Sequence, residues 1–240
     1  MPKEMIVRND VQKKFLSELV SLGDNKCREF SQKLSPGISF IGVKNSVLRK
    51  LAQQYLKHED HEKLLQPLPL CAAFEERFCQ AVFIAQIPMT VKRRLSLVED
   101  FLPYIDGWAI CDSLCSLLKE CRSHMAEYYS FIKPLFLHHK KPFDMRFACV
   151  MALDYFANDE YLDEVFELIE KVDTTEYYVH MGVAWAVATF YCKCTKEKVT
   201  TRLISLRTDK KTYNKALQKI RESYLPTDAE KEFILTLKRM

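Results

Sequence analysis

Glycine is scarce in this chain, with five residues in 240. Tight hairpins depend on residues that accept positive φ, and Asn-Gly pairs are their strongest signal. No Asn-Gly pair occurs. No segment keeps up the period-two alternation of a strand. Apolar residues recur instead at helical spacing, as in Val11, Phe15, Leu16, Leu19, Val20 and Leu22, or Val47, Leu48, Leu51, Ala52 and Tyr55. The chain is therefore expected to be all-α, with helices joined by short polar turns.

The breaks fall at regular places. Gly23-Asp24 ends the first helix and caps the second, and Ser35-Pro36-Gly37 interrupts the chain again. Pro67 and Pro69 close a weak helix over residues 58–66. Thr90 and Asp106 are the expected N-caps of the helices that follow them. A helix is expected over residues 121–138, with an interruption near Pro134, and then a basic turn from His138 to Pro142. Helices of about 10 to 18 residues continue to residue 239. Antiparallel pairs recur every 30 to 40 residues or so, near the period of HEAT and armadillo repeats. Such pairs fit a compact bundle or an α-solenoid, and the interval leans toward the solenoid. No linker or composition break divides the chain, so residues 1–240 are read as a single domain of stacked pairs with a concave face.

Composition narrows the function classes. Nine cysteines could suggest a disulfide scaffold. However, Cys79, Cys111, Cys115 and Cys149 lie inside apolar helical patterns, where free Cys behaves as a small hydrophobe. Residues 1–10 lack the apolar run of a signal peptide, and no run approaches the roughly 18 residues that span a bilayer. An intracellular, cytoplasmic protein with no membrane partner is expected. Cys192 and Cys194 do not form a CxxC pair, and no metal, nucleotide or flavin motif occurs, so neither metal nor cofactor is expected. Net charge is +4, but it is unevenly spread. Residues 154–170 carry seven acids and no Lys or Arg, whereas residues 193–222 carry ten Lys and Arg against three acids. The basic block has two readings, a solvated helix face or a binding site for a polyanion.

Five residues stand out as candidates for chemistry. From Trp108 to Leu118 the only charged residue is Asp112, and no Lys or Arg lies within four residues of it. Trp108 and Asp112 are four apart, so on a helix they share a face. Asp112 could simply point to solvent from the polar side of an amphipathic helix. Arg146 begins an apolar helix, either as a surface ion pair with Asp144 or as a functional cation. Trp185 is core filler or a site aromatic. Gly182 and Ala184 precede it, so something can approach that backbone closely. Tyr178 is on the face next to Trp185.

Taken together these stretches resemble the AlkD-like DNA alkylation repair proteins, DNA glycosylases built from HEAT-like repeats. The resemblance runs through Ile41-Gly42-Val43, Leu48-Arg49 and Leu51-Ala52, then Trp108-Ala109-Ile110-Cys111-Asp112 as the family's WxxxD. It continues with Arg146 in Met145-Arg146-Phe147-Ala148, with Trp185, and with the run from Thr212 to Ser223. Departures are Ser46 in place of a common Pro, Ala184 in place of Gly, and Ala186-Val187-Ala188 where a basic residue often follows the second Trp.

The resemblance implies an α-solenoid of HEAT-like helix pairs whose concave face binds DNA. It implies hydrolysis of the N-glycosidic bond of cationic N3- and N7-alkylated purines in double-stranded DNA, by a monomer. Asp112, Trp108 and Trp185 would be catalytic. Arg146, Tyr178, Lys215, Lys219 and Arg221 would bind DNA. Trp108, Asp112, Arg146 and Trp185 are expected to converge on one surface. The alternative is a non-catalytic scaffold of the same fold that binds DNA or a protein.

Overall fold

The computed structural model describes residues 6–138 and 141–240. Residues 139 and 140, the middle of the basic turn, lie outside the described residues, as do residues 1–5. Among the described residues every regular element is helical and no strand occurs. They form two compact units that meet in sequence at Leu118 and Lys119.

The first unit holds α1 (Asp10–Ser21), α2 (Asn25–Leu34), α3 (Asn45–His58), α4 (His61–Leu65), α5 (Phe74–Gln86), α6 (Val91–Phe101) and α7 (Trp108–Leu117). Helices α3, α5 and α7 pack in a row, and α4 and α6 flank α5. Caps were readable at two helix starts: the side chains of Asp24 and Thr90 accept from the backbone N–H of Cys27 and Arg93. Asp106 departs from its expected role. Gly107 is the N-cap of α7, and the Asp106 carboxylate is taken by Arg77 of α5.

An irregular stretch, residues 38–43, is anchored by a buried carboxylate. Glu75, in the first turn of α5, is 1% exposed. Its oxygens accept from the N–H groups of Ile41 at 3.0 Å, Gly42 at 2.8 Å and Val43 at 3.2 Å. Gly42 has φ +96°, and an added Cβ would lie 2.4 Å from the Asp24 carbonyl oxygen. The neighbouring Glu76, also buried, accepts from Nε and Nη2 of Arg8, each at 2.7 Å.

The second unit holds α8 (Met125–His138), α9 (Pro142–Tyr155), α10 (Leu162–Ile169), α11 (Tyr177–Lys193), α12 (Lys196–Ser205), α13 (Lys210–Glu222) and α14 (Asp228–Thr236). A 3-10 turn, Lys119–Ser123, replaces the first turn of the helix expected over 121–138. Helix α8 runs through Pro134 without the expected interruption. Pro134 and Ser130 are both exposed, so the carbonyl that proline leaves without a donor can be hydrated. Helices α9, α11 and α13 pack side by side, and α10 packs on α8 and α12. Alternate helices therefore fall into alternate rows, the packing pattern of an α-solenoid. Helix α9 is buried from Phe143 to Leu153, as its nearly continuous apolar sequence requires.

Asp209 starts α13. Burial pushes its carboxyl pKa up, but hydrogen bonds from Thr174 and Thr212 outweigh this and hold it at about 2. Asp209→Ala is expected to lower stability by about 1 kcal/mol at neutral pH through loss of the cap. The folded pKa lies below the ordinary value of 3.8. The contribution is therefore complete above that value and is lost as pH falls toward about 2. Urea unfolding at pH 7 and at pH 3 should show the gap between variant and wild type narrowing at the lower pH.

Candidate functional site

In the first unit, α7 buries Ile110, Cys111, Leu114 and Cys115. Its other side carries Trp108, 55% exposed, with Asp112 half-buried one turn on. Asp112 is thus partly withdrawn from water beside an open indole face. Helix α3 adds a cation that the sequence reading quoted but gave no role. The Arg49 guanidinium lies 5.2 Å over the Phe78 ring, and its Nη2 is 3.5 Å from Ser113 Oγ, next to Asp112 in sequence. The other motif residues there are structural: Leu48, Leu51 and Ala52 are buried, and Gly42 serves the anchored stretch below α5. The signal for Arg49 was its place in the Leu48-Arg49 stretch of the resemblance, which carried no role for it.

In the second unit, Trp185 on α11 is half-buried, so it is not simply core filler. Two cations from neighbouring helices each lie 6.0 Å from its ring centroid: Arg146 of α9 and Lys219 of α13. These are cation–π distances. Arg146 is only 7% exposed, so it is not a surface residue. Gly182 explains how α9 and α11 come so close. A Cβ there would stand 3.4 Å from the Cys149 Cβ and 3.6 Å from the Arg146 Cα. Three residues before Arg146, Phe143 packs on Tyr178 with ring centroids 4.7 Å apart, and Tyr177 packs edge-on against Tyr178. The α9 and α11 rows therefore meet in two rungs, one of aromatic rings and one of cation against indole.

The electrostatics around Trp185 are basic. Burial lowers the Lys219 ammonium pKa, Lys215 and Arg146 lower it further, and Glu222 opposes them. Burial also holds the His180 imidazole below its usual value, with Lys211 adding to the effect. His180 Nδ1 lies 2.8 Å from the Thr212 hydroxyl. Lys219 accompanies Trp185, and Lys215, one turn earlier on α13, lines with Arg221 the groove that α14 borders.

Each unit therefore brings together its own candidates: Trp108 and Asp112 in the first, and Arg146, Trp185 and Lys219 in the second, with Tyr178 one rung away. A carboxylate beside an indole can stabilise a developing positive charge. An indole flanked by cations can hold a sugar while its neighbours attract phosphate. The family model for the DNA alkylation repair enzyme matches residues 15–201. The chain belongs to this family. The matched span of the DNA alkylation repair enzyme includes Trp108, Asp112, Arg146, Tyr178 and Trp185, and it ends before α13. No curated protein matches the chain.

Two structural observations accompany the assignment to the DNA alkylation repair enzymes. Among the described residues, no cluster of His, Cys, Asp and Glu is arranged to hold a metal ion. No described helix is long and apolar enough to cross a membrane. All nine cysteines of this repair enzyme are unbridged, and burial pushes the Cys79 thiol pKa well up.

Proposed function

We propose that the chain is a DNA glycosylase that removes cationic N3- and N7-alkylated purines from double-stranded DNA. The observation that carries this reading is the α7 face, where exposed Trp108 and half-buried Asp112 stand one turn apart in a DNA alkylation repair enzyme.

The chemistry follows from the substrate's charge. The alkylated ring is already positive, so it leaves without general-acid help. The bond from C1′ to the base nitrogen breaks, and its electron pair neutralises the ring. The sugar is left with oxocarbenium character. The Asp112 carboxylate stabilises that charge and orients a water, whose oxygen bonds to C1′ as its proton passes to solvent. Trp108 presents a π face that holds the deoxyribose and favours a cationic centre, and in the second unit Trp185 offers a π face of the same kind. Arg146 grips a flanking phosphate, Tyr178 borders the same strand, and Lys215, Lys219 and Arg221 bind the backbone. None of these roles needs a tight pocket for the base.

The test combines base release with binding. Wild-type protein should release 7-methylguanine from a methylated duplex. It should also bind that duplex with a steep salt dependence, and Lys215→Ala and Lys219→Ala should each reduce the slope of log K against log salt by about 0.9. Salt-dependent binding with no released base would instead identify a DNA scaffold. No duplex affinity at low salt would point to a protein-binding solenoid.

A further inference from the structure

Between α11, α13 and α14 of the second unit lies an open groove of about 780 Å³. Four cations line it, Lys211, Lys215, Arg221 and Lys238, and no Asp or Glu is among the lining residues. Farther along α11 and α13 the groove continues toward the recess bordered by Trp185 and Lys219, with Lys215 one turn before Lys219. Its surface is not simply basic. Tyr177 stands at its edge, 60% exposed, and Leu235 lies within it, 47% exposed.

A duplex backbone offers phosphates with its bases stacked away from the protein, so cations alone would suffice to hold it. An exposed tyrosine ring and an apolar surface between cations suit unpaired bases, which stack while their phosphates meet charge. Hydrogen-bond readout is sparse in the groove. The Asn214 amide donates to the Arg239 carbonyl at 2.9 Å and accepts from its N–H at 3.0 Å. Both ends of that side chain are therefore engaged within the protein, which favours a sequence-tolerant ligand.

We propose that this groove binds a short stretch of single-stranded nucleic acid, with bases against Tyr177 and Leu235 and phosphates on Lys211 and Lys238; Lys215 and Arg221, assigned above to the duplex backbone, are shared between the two ligands. The site goes beyond excision from duplex DNA, and α13 and α14 lie past the matched family span.

The test is anisotropy of a labelled oligothymidine of about 12 nucleotides with the full chain. Tyr177→Ala should weaken binding on the order of tenfold. Lys211→Ala and Lys238→Ala should each reduce the salt slope by about 0.7. All three side chains are exposed, and circular dichroism checks that the variants fold. Duplex binding and 7-methylguanine release by Tyr177→Ala should stay within about twofold of wild type, since a paired duplex offers no free base to that ring. Failure of base release in the wild type would therefore leave this result readable. The proposal is overturned if wild-type protein does not bind the oligothymidine at low salt, or if the three variants bind it as wild type does. It is also overturned if Tyr177→Ala is silent while the two lysine variants weaken duplex binding equally, which would assign the groove to a duplex backbone.

Discussion

Gly42→Ala is expected to destabilise the protein by on the order of 3 kcal/mol or more. Two effects combine. At φ +96° an alanine is held in a region that L-residues avoid. Its Cβ would also stand 2.4 Å from the Asp24 carbonyl oxygen and 2.8 Å from the Arg28 nitrogen. Those are backbone atoms at the start of α2 and cannot swing aside. The Gly42 carbonyl accepts from the Asp24 N–H at 3.0 Å, so any shift breaks that bond as well. It would also pull the 41–43 N–H groups off Glu75, leaving a buried carboxylate short of donors. Gly37 separates the two contributions. It has φ +91°, yet nothing lies within 4 Å of its added Cβ. Gly37→Ala should therefore cost only the conformational part, about 1 kcal/mol. Chemical denaturation of both variants measures the difference. Equal losses would mean that the close approach to α2 contributes nothing.

The helices were legible because helical periodicity and capping are local. Asp24 and Thr90 act within three residues of themselves and were read correctly. Asp106 was misread because its partner, Arg77, comes from the preceding helix pair. Glu75 looked like an ordinary acid in a first helical turn, where the macrodipole favours one at the surface. Its burial depends on three N–H groups more than thirty residues away. Arg94 was hidden in the same way: it is buried because it donates to the Ile84 and Ile87 carbonyls at the end of α5. Helices α9 and α11 are apolar on nearly every side, so no face could be singled out from their pattern.

The candidate site was legible only in part. Trp108 and Asp112 are neighbours by helix geometry alone, so their shared face was readable. The cations beside Trp185 were not, because Arg146 and Lys219 reach it only once α9, α11 and α13 line up in one row. The groove that Lys215 and Arg221 line also needed α14, whose packing leaves no simple signature in sequence.

Asp112→Asn is the substitution with the largest expected effect on activity. The amide matches the carboxylate in size and hydrogen-bonding reach, and the site is half-buried on a well-packed helix, so the fold should survive. In the proposed mechanism, what is lost is the negative charge opposite a developing oxocarbenium ion. Removing a preorganised electrostatic group of this kind slows chemistry on the order of 100-fold or more. Binding relies on phosphate contacts elsewhere and should barely change. The decisive measurement is single-turnover release of 7-methylguanine from a duplex carrying one lesion, with duplex affinity recorded in parallel. Asp112→Asn is predicted to bind the duplex as wild type does but to release base at least about 100-fold more slowly. Release by the variant at the wild-type rate would contradict this prediction.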